Sequence, residues 1–149
     1  MKIEKVIKED LGEILTLQKL AYQSEAEIYD DYSIPPLTQT LAEIEEDFSF
    51  QVFLKIVKDN KIIGSVRAFK EDNTCFIGKL IVHPNFQNQG IGTKLLKKIE
   101  TIFDDVNRYE LFTGHKSEKN LYLYQKLGYK KFKTEIINGR LRMIYLEKR

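Results

Sequence analysis

Hydrophobic and polar positions repeat at two different periods along this chain, and each period predicts a different kind of element. Alternation of the two classes indicates strands, and spacings of three and four residues indicate helices. Strands are predicted at 2–7, 52–57, 61–69, 76–82, 109–113, 129–137 and 140–146. Helices are predicted at 11–22, 38–48, 91–103 and 117–127.

Turn and capping residues lie between these segments. Short polar side chains cap helices and glycine ends them, so we predict caps at Asp10, Thr38, Ser117 and Gly128. Two-residue hairpin turns are predicted at Asp59-Asn60, Asp72-Asn73 and Asn138-Gly139. Residues 29–37, which contain Pro35-Pro36, are predicted to form a loop.

The order of the elements predicts the fold class. It reads β-α-α-β-β-β-α-β-α-β-β, an α/β (α+β) arrangement of about seven strands with helices on both faces. The three strands from 52 to 82 form an antiparallel meander, and 109–113 is parallel to its predecessor if the crossover rule holds. We expect a single domain over residues 1–149, since the chain has no repeats or linkers.

Composition limits the class of protein. No apolar run approaches the ~20 residues of a membrane span, and residues 1–5 lack a signal-peptide stretch. A cytoplasmic location is therefore expected. Cys75 is the only cysteine, which leaves no intrachain disulfide and no cysteine-based zinc site; we expect it in the core and expect no bound metal.

Charge is unevenly distributed, although the net charge is only +2. No Lys or Arg occurs between Leu20 and Leu54. This acidic stretch carries eight carboxylates, namely Glu25, Glu27, Asp30, Asp31, Glu43, Glu45, Glu46 and Asp47. The remainder of the chain therefore carries +10, that is, +2 minus −8.

The residues Gln-Asn-Gln-Gly-Ile-Gly at 87–92 join a predicted strand to a predicted helix. Glycine allows close approach of the backbone to a ligand, and a helix N-terminus favours anions. The spacing fits neither a P-loop nor a dinucleotide fingerprint, because Lys94 lies two residues after Gly92 and position 95 is Leu95. A phosphorylated cofactor is the expected occupant; a plain connecting loop is the structural alternative.

Two ordered motifs resemble those of the GCN5-related N-acetyltransferase (GNAT) superfamily. Gln87, Gly90 and Gly92 match its Gln-x-x-Gly-x-Gly loop for the acetyl-CoA pyrophosphate, and residues 123–129 match its Leu-Tyr-x-x-x-Gly-Phe/Tyr segment. The order of elements is also that of the GNAT fold. The resemblance implies acetyl transfer from acetyl-CoA, as cosubstrate, to an acceptor that is usually an amine.

The resemblance also implies which residues hold acetyl-CoA. The loop backbone would bind the pyrophosphate, with Thr93 adding a hydroxyl, and the edge of the preceding strand would pair with the pantetheine arm. The cofactor-binding set is Leu80, Ile81, Val82, Gln87, Asn88, Gln89, Gly90, Ile91, Gly92, Thr93 and Asn120. The amide of Ile81 or of Val82 would polarise the thioester carbonyl. Lys94, Lys97 and Lys98 add positive potential or simply form a solvated face.

Tyr124 is the candidate catalytic residue. By resemblance it is the general acid that protonates the departing thiolate, and a phenol is protonated at pH 7; the alternative is a packing role. Asn120 lies one turn earlier on the same face, where it could bind the pantetheine arm. The chain departs here from the commoner family pattern, which has asparagine at the position of Ser117.

The general base is left open by the sequence. Some family members carry a glutamate on the strand before the loop, but residues 75–82 contain no carboxylate. His83 and His115 are the only histidines, and each is either a base or an ordinary loop residue. Glu71 and Asp72 lie in a turn. Deprotonation relayed by water is equally open.

The acceptor is predicted to be a basic amine. In the family the first two helices form one wall of the acceptor cleft, and here that wall coincides with the acidic stretch and with Tyr22, Tyr29 and Tyr32. Carboxylates and aromatic faces attract cations such as a polyamine or a lysine side chain; a solvated acidic helix is the alternative. A CoA-binding sensor without catalysis is the alternative function. Nucleic-acid and membrane partners are not expected, and the final hairpin is a candidate for pairing two subunits.

Overall fold

The structure, a computed structural model, describes residues 1–149 as a seven-stranded sheet with helices on both faces. The strands are β1 (Lys2–Lys5), β2 (Val52–Lys58), β3 (Lys61–Glu71), β4 (Thr74–Val82), β5 (Arg108–Gly114), β6 (Lys130–Ile136) and β7 (Arg142–Lys148). The helices are α1 (Leu11–Ala21), α2 (Gln23–Tyr29), α3 (Pro35–Thr38), α4 (Leu41–Phe50), α5 (Ile91–Ile102) and α6 (Glu118–Lys126). The predicted fold class is confirmed.

The sheet has the order β1-β2-β3-β4-β5-β7-β6. Only the β4–β5 pair is parallel, as the crossover through α5 requires. The predicted turns at Asp59-Asn60 and Asp72-Asn73 close the meander, and all four residues have positive φ between 49° and 63°. Such turns match the right-handed twist of the flanking strands.

A hydrophobic core lies on each face of the sheet. On one face α5 packs against β3 and β4 through Ile91, Leu95 and Ile99, all of which are buried. On the other face α1 and α4 pack through Leu11, Ile14 and Ile44. Cys75 belongs to the first core, as predicted, and burial raises the pKa of its thiol to about 12.

The segment from 23 to 38 is more helical than predicted. A second helix, α2, follows α1 after a single residue, and α3 occupies part of the predicted loop at 29–37. Only Ala26 and Tyr29 of α2 are buried, so its sequence shows little helical periodicity. The helix is held by contacts with distant residues instead.

Three predicted caps are wrong in detail. Thr40, not Thr38, caps α4, because its hydroxyl accepts a hydrogen bond from the Glu43 amide. Asp10 precedes α1 without capping it; its carboxylate is taken by the Lys55 ammonium at 2.7 Å. Ser117 precedes α6, but its hydroxyl bonds to α2.

The C-terminal hairpin forms, with β6 and β7 antiparallel, but its connection is longer than the predicted two-residue turn, since Ile136 pairs with Arg142. The Asn138 carboxamide oxygen accepts hydrogen bonds from the amides of Arg140 and Leu141, so the asparagine side chain shapes the turn. Gly128 follows α6 with φ of 99°, as its predicted role requires. None of the helices has the length and apolar character needed to cross a membrane.

Candidate active site

A cleft opens where β4 and β5 part. The two strands pair only at Thr74–Arg108, Cys75–Tyr109 and Phe76–Glu110. Beyond Phe76 the facing edge of β4 has no strand partner, because β5 continues alongside β7. Its backbone groups are therefore available to an extended ligand that lies in the gap.

A β-bulge in β4 bends the strand at this point. Ser65 pairs with Ile81 and Arg67 with Gly78, so two steps along β3 face three steps along β4. Lys79, within the bulge, has a positive φ of 42°. Bulges bend a strand and end regular pairing, which explains how β4 leaves β5 while it stays attached to β3.

The hydrogen bonds between β3 and β4 show which way the amides of Ile81 and Val82 point. The His83 amide donates to the Ile63 carbonyl across β3 at 2.8 Å. Successive residues of an antiparallel strand point their hydrogen-bonding groups to opposite sides. The amide of Val82 therefore points away from β3, toward the gap, whereas the amide of Ile81 points toward β3. Of the two amides that the sequence left open, Val82 has the suitable direction.

The glycine loop lies at the mouth of the gap. Gly90 precedes α5 with φ of 77°, a conformation that strains other residues, and no side chain caps the helix. The first amides of α5 consequently lack intrahelical partners. Gly92 approaches α6 so closely that a Cβ there would lie 3.3 Å from a Leu123 methyl carbon.

These elements enclose a cleft of about 730 Å³. Every residue of the predicted cofactor set lines it except Gln89. Lys94, Lys97 and Lys98 are exposed and lie outside it, consistent with a solvated face. The sequence did not single out several further lining residues, namely Ala21, Ser24, Ile28, Phe86, Lys116, Glu118, Lys119, Tyr122 and Lys126.

Tyr124 lies behind the cleft wall and is only 5% exposed. Its ring is 6.2 Å from that of Tyr129 in the main core. Burial, together with the nearby Tyr22 and Glu25, raises the pKa of its phenol well above the usual value. The group therefore remains protonated at neutral pH and has a proton to donate.

A carboxylate that the sequence had not distinguished from its neighbours lies in this cleft. Glu25, on α2, accepts a hydrogen bond of 2.6 Å from the Ser117 hydroxyl and one of 3.4 Å from the Asn120 side-chain amide. Asn120 also donates to the Thr113 hydroxyl at 3.2 Å. Tyr22 lines the same region, and burial followed by the charge of Glu25 raises its pKa to about 12.

Tyr29 fixes the position of α2 beside this network. Its hydroxyl accepts a hydrogen bond from the Lys116 amide at 2.9 Å and lies 2.8 Å from the Ser117 hydroxyl oxygen. A Cβ at Gly114 would overlap that phenol, so glycine makes the close packing possible. Tyr29 is thus a structural residue and not part of an open cation-binding face.

Most of the acidic stretch is engaged away from the cleft. Of its eight carboxylates only Glu25 lines it. The others with partners are Asp30 (Arg140), Asp31 (Ser33), Glu43 (Thr40), Glu45 (Lys8) and Asp47 (Arg67). The Arg67 guanidinium is 2% exposed; it binds Asp47 and Gln18, and its Nε atom has no partner.

Both histidines use Nδ1 in contacts with the backbone. The Asn85 amide donates to the Nδ1 atom of His83, and the Arg142 amide donates to that of His115. Neither residue lines the cleft. No group of three or more His, Cys, Asp or Glu side chains is arranged to hold a metal ion.

Solved structures of similar shape include several N-acetyltransferases. The Escherichia coli ribosomal-protein-S18-alanine N-acetyltransferase superposes with a TM-score of 0.81 at 15% identity, covering 99% of this chain and 92% of that one. The PaiA N-acetyltransferase of Thermoplasma acidophilum, in complex with coenzyme A, gives 0.73 at 23% identity over 100% and 99%. At these identities the likeness shows the fold.

The chain is also similar in sequence to a protein of Bacillus subtilis and to a protein family. The chain is 31% identical over 122 residues to UPF0157 protein YqkA of Bacillus subtilis (strain 168); the match covers 82% of this chain and 35% of that protein. The chain thus spans about a third of the length of that relative. Residues 12–129 match the acetyltransferase (GNAT) family, and the chain belongs to that family.

Proposed function

We propose that this chain is an N-acetyltransferase that moves the acetyl group of acetyl-CoA to a primary amine. The observation that carries the proposal is the parting of β4 and β5 beside the glycine loop, which leaves a backbone edge and a helix N-terminus facing one cleft. An elongated phosphorylated thioester fits these two features together, whereas a simple anion would need only the loop.

Three groups of residues would hold the cosubstrate. The amides from Gln87 to Gly92, with the Thr93 hydroxyl, bind its pyrophosphate. The free edge of β4 from Leu80 to Val82 pairs with the pantetheine arm, and Asn120 bonds to the same arm from α6. The Val82 amide, which points into the gap, donates to the thioester oxygen as negative charge develops there.

Tyr124 is proposed as the general acid. The amine nitrogen bonds to the acetyl carbon, the carbon–sulfur bond breaks, and the phenol gives its proton to the departing thiolate. Its raised pKa keeps the phenol protonated at neutral pH, so a proton is present when the thiolate departs. The phenol regains a proton from the amine or from solvent.

Glu25 is proposed to receive the acceptor amine. A primary amine arrives as an ammonium ion at neutral pH and must lose a proton before it attacks. The Glu25 carboxylate lies in the cleft close enough to influence Tyr124 electrostatically, and Glu118, the other carboxylate there, is exposed at the start of α6. The Glu25 carboxylate binds the ammonium ion. The ammonium then passes its proton through a water molecule to the same Glu25 carboxylate.

The acceptor is therefore a cationic amine, such as a polyamine or a lysine-like amine. Proteins with this fold include a spermidine N-acetyltransferase SpeG chimera from Vibrio cholerae and hSSAT, with a TM-score of 0.73 at 16% identity. The support in this chain is the single carboxylate of Glu25 beside the aromatic ring of Tyr22.

The test is a free-thiol assay of CoA release over a panel of amines, with acidic and neutral molecules as additional acceptors. Turnover with primary amines supports the proposal, and turnover with non-amine acceptors only would overturn it. Titration with CoA in parallel identifies the alternative, a sensor, by binding without turnover on any acceptor.

A further inference from the structure

A second cavity lies beside the cleft and has a different charge. It has a volume of about 520 Å³ and is bordered by the end of α2, by the turn that follows β5, and by the β6–β7 hairpin. Basic side chains from two of these elements line it: Lys116 from the turn, and Arg140 and Arg142 from the hairpin. The mechanism proposed above uses none of them.

The two cavities are neighbours. Ile28 and Lys116 line both of them, so the second cavity borders the cleft near α2, the helix that carries Glu25. The residues of the glycine loop do not line it, which separates it from the proposed pyrophosphate site.

The charge of the second cavity is unbalanced. Asp30 is its only acidic residue, and the Asp30 carboxylate lies 3.8 Å from the Arg140 guanidinium. No carboxylate lies within ion-pair distance of Lys116 or Arg142 among the salt bridges of the structure, whose members are Lys8, Lys55, Arg67, Lys70, Arg108, Arg140, Lys148 and Arg149. Two cations are thus free for an anionic ligand.

The backbone that carries these cations is held in place. The Lys116 amide donates to the Tyr29 hydroxyl, and the His115 amide donates to the Arg142 carbonyl at 2.9 Å. The Arg142 amide in turn donates to the Nδ1 atom of His115 at 2.9 Å. The Arg142 carbonyl also lies 3.2 Å from this Nδ1 atom, and His115 lines the same cavity.

We infer that this cavity binds an anionic group, a carboxylate or a phosphate, carried by the acceptor at the end remote from its amine. The inference rests on the proposed acetyl transfer and narrows its substrate class. Glu25 selects the ammonium, while Lys116 and Arg142 select the anion. An amine with a distal acid group fits both. A polyamine would place a second cation among these cations, so the inference excludes polyamines from the acceptors proposed above.

The experiment compares acceptors that differ only at the remote end. Primary ω-amino carboxylates of several lengths, their carboxamides, the corresponding diamines and ω-aminoalkyl phosphates are assayed by CoA release with wild type, Arg142→Gln and Lys116→Gln. Lys131→Gln, an exposed change on β6 outside both cavities, is the control. The carboxylate and phosphate arms distinguish the two anions.

We expect acid-bearing acceptors to exceed their carboxamides and diamines about tenfold in kcat/KM, since a charge-assisted contact is worth about that factor. Arg142→Gln should remove this preference, mainly by raising KM for the acid-bearing acceptors. It should leave kcat/KM for the carboxamides and the affinity for CoA unchanged. Two results would overturn the inference. One is an equal kcat/KM of wild type for the acids, the carboxamides and the diamines. The other is an equal loss of kcat/KM in Arg142→Gln for every acceptor.

Binding of inorganic phosphate to the free protein tests the cavity without turnover. Phosphate can also bind the glycine loop, so the test is the difference between variants: phosphate should raise the melting temperature of wild type and of Lys131→Gln by more than that of Arg142→Gln. If no amine is acetylated but this difference appears, the proposed function is wrong and the anion site stands. If amines are acetylated but wild type and Arg142→Gln respond equally to phosphate, only the anion site is wrong.

Discussion

The hydroxyl of Ser117 donates a 2.6 Å hydrogen bond to the carboxylate of Glu25, although the two residues are 92 positions apart in the chain. This bond joins α2 to the start of α6, and Asn120 adds a second contact one turn along α6. It places a negative charge in the cleft close to Tyr124. The proposed site for the amine therefore depends on a contact between α2 and α6, two helices that are far apart in the chain.

Replacement of Tyr124 by phenylalanine tests the general acid. Loss of a positioned acid typically lowers a rate by about 10²–10⁴-fold. We expect a fall of this order in kcat, measured by CoA release, with the affinity for CoA unchanged. Tyr122→Phe is the matched control, because Tyr122 is on the same helix, lines the cleft and is 69% exposed. Equal rates for the two variants would exclude the acid role of Tyr124.

Replacement of Glu25 by glutamine keeps its shape and one of its two hydrogen-bonding oxygens but removes its charge. We expect a rise in KM for amines of about tenfold or more, because an ammonium ion loses its counter-charge. Glu27→Gln, two residues later on the exposed side of α2, should behave like wild type. Steady-state kinetics at neutral pH gives the comparison; unchanged KM in Glu25→Gln would remove Glu25 from the acceptor site.

Replacement of Gly114 by alanine tests the packing of α2 on β5. The new methyl group would overlap the Tyr29 phenol, and overpacking costs about 1–3 kcal/mol. We expect a loss of unfolding free energy in that range and weaker turnover, since Tyr29 positions Ser117. Gly12→Ala in α1, where no atom lies within 4 Å of the added methyl and which lines neither cavity, should lose neither stability in urea unfolding nor activity.

The Asp10–Lys55 pair predicts a dependence of stability on pH. Burial raises the pKa of Asp10, but hydrogen bonds from Lys55 and from the Ile7 amide outweigh it, and the pKa falls below its ordinary value of 3.8. A lowered folded-state pKa stabilises the protein above the unfolded value, and this contribution disappears as pH falls through the folded value. Asp10→Asn should therefore lose stability at pH 7 and show a flatter acid limb in thermal unfolding.

For this pH prediction, the control is Asp59→Asn in the β2–β3 turn, whose carboxylate forms no ion pair. An acid limb of Asp10→Asn that matches the wild-type limb would contradict the account of this pair.

Replacement of Gly90 by alanine tests the glycine loop. Gly90 has a φ of 77°, a conformation that destabilises a residue with a Cβ by about 1–2 kcal/mol. Relaxation of the backbone at the introduced alanine would turn the first amides of α5 away from the cleft. We expect weaker CoA binding by titration calorimetry. Gly12→Ala in α1, which meets no atom within 4 Å and has an ordinary φ, should bind CoA as wild type does. Unchanged affinity in Gly90→Ala would argue against the loop as the phosphate site.

The sequence predicted those parts of the fold that depend on interactions between residues close together in the chain. The turns at Asp59-Asn60 and Asp72-Asn73 require residues that tolerate positive φ, and the apolar face of α5 repeats at helical spacing. The helix α2 was missed because its stability comes from Tyr29 packing on Gly114, 85 positions later, which leaves no local periodicity.

The candidate site was predictable to a similar degree. The glycine loop and Tyr124 belong to short motifs with fixed spacing, so the sequence singled them out; the loop lines the cleft, whereas Tyr124 is outside its lining. The role of Glu25 depends on Ser117 and Asn120, and it could not be separated from its seven acidic neighbours without coordinates. The bulge at Lys79 had a local signal, because an isolated glycine within a strand, here Gly78, is typical of a bulge.

The central claim is that this cleft transfers acetyl groups to amines. The most direct measurement is a reaction of the protein with acetyl-CoA and a primary amine, in which free CoA and the acetylated amine are quantified together by thiol assay and mass spectrometry. The account predicts equal amounts of the two products with wild type and a large loss of both with Tyr124→Phe. CoA released without acetylated amine, or equal yields from both proteins, would contradict it.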